Sequence, residues 1–267
     1  MARYTHGQHP TVTTSYLWRD AENSAAYALG EIRPGRSLLD VGCGPGSITA
    51  DLARRVAPGR VTAVDNSAEA VEQARAGAEE AGVANIDFLV GDVHDLDLPD
   101  DTFDVVHAHQ VLQHVDDPVR ALAEMGRVAR PGGVVAACDS DYSAMHWYPR
   151  LPELDSWMDL YQSMARLNGG EPDAGRHLLA WAHAAGFGEV SYVAEVWNHS
   201  APDRRAWWGG MWARRILESA MGRDAVRKGY ATEEELADIS AGWRRWSEHP
   251  DAVFVIPRGA ILCRVPD

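Results

Sequence analysis

Asp40-Val41-Gly42-Cys43-Gly44-Pro45-Gly46 decides how the rest of the chain is read. The run Ser37 to Val41 leads into it as a strand, and behind it Ile48, Leu52 and Val56 recur at helical spacing. A strand that becomes a helix within a few residues needs backbone conformations closed to most side chains. Gly42 and Gly44 supply them and leave bare main chain for a ligand to lie against. The spacing is D-x-G-x-G-x-G, whereas a dinucleotide fingerprint would place its third glycine where Ser47 stands. Asp40, at the end of the strand, would repel a pyrophosphate but suits a ligand carrying an ammonium or sulfonium charge. A nicotinamide-dependent oxidoreductase is therefore the weaker reading.

Outward from this turn, short apolar runs alternate with helical patterns, as a parallel sheet of βαβ units requires. The strand candidates are 37–41, 60–65, 85–91, 104–109 and 133–139, followed by 189–197 and 252–265. Pro257 lies inside the last of these and is expected to force a bulge or an edge position. Asn66 and Glu69 stand at capping-box spacing ahead of Val71, Ala74, Ala78 and Ala81, with Gly82 closing that helix. Asp117-Pro118 starts another, and Thr232 with Glu235 starts a third ahead of Leu236, Ile239, Trp243 and Trp246. Further helical patterns cover 153–168, 176–185 and 203–222.

The chain has 267 residues, 39 acids against 25 bases and a formal net charge of -14, so no general field draws it to nucleic acid or an anionic membrane surface. The opening MARYTHGQHP lacks a basic stretch followed by an apolar one, and no apolar run reaches bilayer length; a cytoplasmic protein is expected. Cys43, Cys138 and Cys263 are too few and too far apart for a disulfide framework or a zinc ribbon. Nine of the ten tryptophans lie after residue 146, which marks a change of composition near residue 141. We divide the chain into an N-terminal helical lid segment (1–35), a binding core (36–141), and a part (142–267) that completes the sheet and adds helical insertions around the acceptor.

Four motifs in order resemble the class I S-adenosylmethionine-dependent methyltransferases, in particular the small-molecule branch of ubiquinone and menaquinone biosynthesis. LLDVGCGPG is similar to the family's first motif and brings in Asp40, Gly42, Cys43, Gly44 and Gly46. VTAVDNS is similar to the end of its second strand, with Asp65 as the acid that pairs with both ribose hydroxyls and Asn66 beside it. VGDVHDLDLPDDTFDVV matches the adenine segment, so that Asp92 would accept from the adenine amino group and the backbone N–H of Val93 would donate to a ring nitrogen. HAHQVLQHV resembles the end of the fourth strand, where main chain at His109 and Gln110 would contact the methionine part. The resemblance implies a Rossmann-like α/β fold. Its seven-stranded, mostly parallel sheet runs in the order third, second, first, fourth, fifth, seventh, sixth, with the last strand antiparallel and helices on both faces.

The expected activity is methyl transfer from S-adenosylmethionine to a small, partly apolar acceptor, with Tyr16, Trp18 and the tryptophan-rich half forming pocket and lid. His109 is the first candidate base and His146 its rival, with Asp139 on the same loop edge. No compact ligand motif points to a metal. Nucleic acid is disfavoured because HAHQ stands where amino-group-directed enzymes carry Asn/Asp-Pro-Pro-aromatic. A cofactor-binding cyclase or regulatory module without methyl transfer is the alternative, and a homodimer is compatible with the sequence.

Overall fold

The computed structural model of the protein describes Thr5, Tyr16 and residues 18–267. Most of residues 1–17, and with them much of the expected lid segment, lie outside the described residues. Within the remainder of that segment a short helix, α1 (Ala21–Ser24), and a 3-10 turn at Ala26–Ala28 form.

Eight strands make one sheet: β1 (Leu38–Val41), β2 (Val61–Asp65), β3 (Ile86–Val90), β4 (Phe103–His109), β5 (Ala129–Ser140), β6 (His146–Tyr148), β7 (Glu189–His199) and β8 (Val253–Arg264). β3, β2, β1, β4 and β5 run parallel in that spatial order, and β8 lies antiparallel between β5 and β7. This is the expected order with one addition. The three-residue β6 pairs with β8 at Val253–Val255, on the edge that β5 has left. Pro257 sits in the gap between these two partners, and its carbonyl accepts the Asp141 N–H at 3.0 Å on that side. A proline between two strands is tolerated because the edge toward which its missing N–H would point has no ladder at that place.

Nine helices are present among the described residues, the other eight being α2 (Ser47–Val56), α3 (Ala68–Glu80), α4 (Pro118–Val128), α5 (Pro152–Leu167), α6 (Ala174–Ala184), α7 (Pro202–Glu218), α8 (Ala220–Arg227) and α9 (Glu233–Glu248). α4 and α9 begin as their sequences predict, with the Asp117 carboxylate accepting from Arg120 N–H and a reciprocal Thr232–Glu235 capping box. α3 does not. Its cap is Ser67, whose hydroxyl accepts from Ala70 N–H, because Asp65 takes the Ser67 N–H at 2.9 Å and holds Asn66 in the turn. The expected helix over 203–222 breaks at Ser219 into α7 and α8. Gly222 permits the break: a Cβ there would lie 1.9 Å from the Ile216 carbonyl oxygen.

Alternation along the strands sends Leu38, Val105 and Ala136 to one face of the sheet, against Leu52, Ala53 and Val56 of α2. Leu39, Val106 and Ala137 go to the other, against Leu122 and Met125 of α4 and Leu178 of α6. A third cluster joins α5, α7, α9 and the β6–β8 end of the sheet around Trp157, Trp212, Trp243, Trp246 and Phe254. The Trp157 ring meets Trp212 edge-on at 4.7 Å and Trp243 at 4.9 Å, geometries that aromatic quadrupoles favour. No described helix is long and apolar enough to cross a membrane.

Candidate active site

The turn after β1 is fixed by its backbone. Gly42 and Gly44 take φ of 68° and 52°, and the N–H groups of Gly42 and Cys43 both donate to the Val64 carbonyl at the end of β2. A Cβ on Gly42 would lie 2.4 Å from a Val111 methyl, whereas one on Gly44 would meet nothing within 4 Å. Gly44 thus presents open backbone. Its N–H donates at 2.9 Å to one oxygen of Asp65, and the Ser67 N–H donates at 2.9 Å to the other. Burial raises the Asp65 pKa above the ordinary carboxylate value, and these backbone donors oppose the rise.

Asp92, after β3, accepts from the His94 N–H at 3.0 Å and lies 2.7 Å from His94 Nδ1, both through the same oxygen. The His94 N–H is the main cause holding its pKa below the usual range. At the end of β4, Gln110 adopts φ of 59°, a costly conformation for a residue with a side chain. It is held by its N–H to the Cys138 carbonyl and by donations from Gln113 Nε2 and Ser140 Oγ to its side-chain oxygen, both at 2.9 Å.

One cavity connects these places. Asp40, Gly42, Cys43, Gly44, Asp65, Asn66, Asp92, Val93, His109 and Gln110 all line it. Gly46 does not. It caps α2 with φ of 82° and faces Ala74 of α3, where a Cβ would stand 2.8 Å from the alanine Cβ, so its role is helix packing. Asp40 is engaged by its own chain: Thr49 donates to one oxygen at 2.6 Å, and His107 Nδ1 lies 2.8 Å from the other. His107 is fully buried and serves as this partner.

The two candidate bases separate. His146 is exposed, because β6 turns Trp147 into the aromatic cluster and so points His146 outward, away from the cavity. His109 lines the cavity but lacks the near-neutral basicity its sequence position suggests. Burial, then the charges of Arg19 and Arg258, push its pKa well below 6.5. His114 is driven down to about 4 by burial and Arg19. Asp139 lies off the cavity and accepts the Gln113 N–H; burial pushes its pKa up to about 7.

The same cavity is lined by residues of the aromatic cluster. Trp157, Trp197, Trp208 and Trp212 line it, so part of the tryptophan set is wall as well as core. Tyr16 also lines it, while Trp18 packs on Trp197 at 4.9 Å. Arg19, Tyr142 and Arg215 are lining residues that motif reading missed. Arg215 did leave a signal: it lies one helical turn from Trp212, on the face of α7 that carries Met211 and Ile216 inward.

The sequence profile of the methyltransferase-domain family matches residues 32–204. The chain belongs to this family of S-adenosylmethionine-dependent methyltransferases. An uncharacterized methyltransferase of Schizosaccharomyces pombe is 32% identical over 97% of this chain and 95% of its own. Demethylmenaquinone methyltransferase of Listeria welshimeri is 30% identical over 52% of this chain and 55% of its own, in keeping with the resemblance in the motifs. Among solved structures, the [4+2]-cyclase SpnF superposes with a TM-score of 0.53 at 23% identity, over all of this methyltransferase and 84% of the cyclase, a likeness of fold alone.

Proposed function

We propose that this methyltransferase holds S-adenosylmethionine with its adenine at Asp92 and Val93, its ribose at Asp65, and its methionine part along Gly42–Gly44 and the main chain of His109 and Gln110. The methyl group then faces a small, partly apolar acceptor in the aromatic end. The observation that carries this reading is the continuity of one cavity from Asp65 and Asp92 to Trp157 and Trp212. The donor set fits the group. Each oxygen of Asp65 takes one backbone N–H, which leaves acceptor capacity on both for two adjacent hydroxyls. Asp92 spends one oxygen on His94 and keeps the other for an amino group.

Bound there, the cofactor supplies a methyl group already activated by its sulfonium. What remains for the protein is to align the acceptor and to exclude water, which aromatic walls do by shape and by low polarity. A base is not required of His109, whose imidazole stays neutral and weakly basic at pH 7. Calorimetry with S-adenosylhomocysteine tests the reading. Asp65→Ala should weaken binding by about 2 to 3 kcal/mol, the scale of a lost charged hydrogen-bond pair. Unchanged affinity removes Asp65 from the site, and binding of NADH without any response to S-adenosylhomocysteine points to an oxidoreductase instead.

A further inference from the structure

The two ends of the cavity carry opposite polarity. At the cofactor end the charged side chains are the acids Asp40, Asp65 and Asp92; at the aromatic end they are Arg19 and Arg215. Arg215 is 4% exposed, and the groups that act on it are the hydroxyls of Tyr16, Tyr142 and Tyr161, which burial keeps protonated. The Arg19 guanidinium lies 4.5 Å over the Tyr16 ring and 5.2 Å over Trp197. Its Nε is enclosed without an acceptor among the described residues, and burial pulls its pKa down to about 10. The groups that act on it are Tyr16, Tyr142, Arg215 and Arg258, none of them a carboxylate, and residues 1–17 contain no Asp or Glu.

Arg258 shows what a structural arginine looks like in the same neighbourhood. It too stacks on Trp197, at 3.9 Å, and its Nε and Nη1 are likewise enclosed without an acceptor among the described residues, but it is off the cavity, pairs with Glu195 at 3.0 Å and donates to the Asn23 carbonyl. Burying a guanidinium without a counter-charge is costly, and a second cation facing the same space adds to the cost. The indole N–H groups of Trp157 and Trp208 on the same wall are also buried without an acceptor among the described residues. Three N–H donors of this wall, one on Arg19 and one on each indole, are thus enclosed without an acceptor among the described residues.

We infer that the acceptor is an anionic ring compound whose carboxylate or phenolate oxygen is received by Arg19 and Arg215 while its apolar rings lie against Trp157, Trp197 and Trp212. Planar guanidinium forks match such an oxyanion, and aromatic walls match the ring. Where the ionised oxygen is itself the atom methylated, as for a phenolate, no proton has to be removed by the protein, in keeping with a site whose histidines are weak bases.

This inference rests on the functional reading above, so the test separates the two. Binding of 2-naphthoate and of its neutral amide, 2-naphthamide, is followed by tryptophan fluorescence at saturating S-adenosylhomocysteine. The naphthoate should bind at least about tenfold tighter than the amide, and Arg19→Gln should erase most of that preference while Arg19→Lys retains part of it. Arg215→Lys, which keeps the charge but loses the planar fork, should weaken naphthoate severalfold; melting curves establish that each variant is folded. Equal binding of acid and amide, or binding of neither, overturns the inference while leaving the functional reading intact if S-adenosylhomocysteine binds. The shared oxyanion chemistry has a second source in the cofactor's own carboxylate. If Arg19→Gln weakens S-adenosylhomocysteine tenfold and leaves naphthoate unchanged, that carboxylate is what the arginine holds, and the inference fails.

Discussion

The acidic end of the cavity and its aromatic end are built by different means. The acidic end comes from three short segments, 40–44, 65–67 and 92–94, whose geometry is set by glycine conformations and backbone donors onto Asp65 and Asp92. At the aromatic end, Tyr16, Arg19, Tyr142, Trp157, Trp197 and Arg215 arrive from segments 200 residues apart and are held by ring packing. The first depends on local backbone and the second on the whole fold. Substitutions at one end should therefore leave the other standing.

The largest expected effect tests this independence. Trp157 is fully buried and touches Trp212, Trp243 and Phe254, so Trp157→Ala should cost about 3 to 5 kcal/mol of stability, read from urea unfolding. Well below the unfolding transition its affinity for S-adenosylhomocysteine should stay within about threefold of the parent, a change under 1 kcal/mol. A collapse of affinity in the folded variant breaks the comparison. Gly42→Ala is the reciprocal experiment, since it combines a left-handed backbone with the Val111 clash; it should cost about 2 to 4 kcal/mol of stability, displace the turn and weaken S-adenosylhomocysteine binding while the aromatic end stays packed. Gly44→Ala meets no protein atom and should cost the unliganded fold only about 1 to 2 kcal/mol, from backbone strain alone.

The same division explains what was legible in the sequence. Ten of the eleven expected cofactor residues line the cavity, because each sits at a strand end whose position follows from local pattern. Gly46 is not among the lining residues and packs on Ala74, since a glycine at a helix start serves packing as readily as binding. β6 was unreadable for a similar reason: three residues give no periodicity, and its partner stretch of β8 lies over 100 residues away. His146 went wrong with it, since its direction depends on a strand that sequence did not reveal. Arg19 and Arg215 carry no motif at all. A charge on the apolar stripe of α7 was the available sign, and it says that a group is buried without saying beside what.

A smaller effect concerns acid. His109, His114 and His199 all have pKa values depressed by burial, to about 4 for His114 and about 3 for His199. The unfolded chain protonates these rings near 6.5 while the folded one does not, so stability falls as pH drops below about 6.5, by at most about 1.4 kcal/mol per pH unit for each ring. Asp139 works the other way. With its folded pKa at about 7 it binds a proton that the unfolded chain has released above 3.8, and so it favours the fold toward acid across that window. Three rings against one carboxyl should leave a net loss between pH 6.5 and 5, visible as a falling melting temperature. Since His109, His114 and His199 all flank the cavity or its aromatic wall, S-adenosylhomocysteine should not remove the trend. A melting temperature that rises steadily from pH 6.5 to 5 would show that the rings titrate in the folded state.

The smallest effect is expected where the two ends meet. His109 stands at the end of β4 on the cavity wall, 5.5 Å from the Trp197 ring and 6.5 Å from His107. From its position alone His109→Asn should remove a general base and cost turnover a hundredfold or more. From its surroundings it should not. An imidazole whose protonated form is disfavoured by burial and by two arginines is already neutral at pH 7, but its affinity for a proton is too weak to draw one from an acceptor. His109→Asn should therefore hold turnover within about tenfold, below the usual scale of base loss, and leave S-adenosylhomocysteine affinity unchanged if, as proposed, only its main chain meets the cofactor. An NMR titration of the imidazole resonances, assigned by that variant, should show His109 protonating only well below the ordinary histidine range in the folded protein. A midpoint near 6.5 together with a hundredfold loss of turnover would return the residue to the role of base. It would also make the junction of the two ends a working part of the chemistry, where the present geometry makes it a wall.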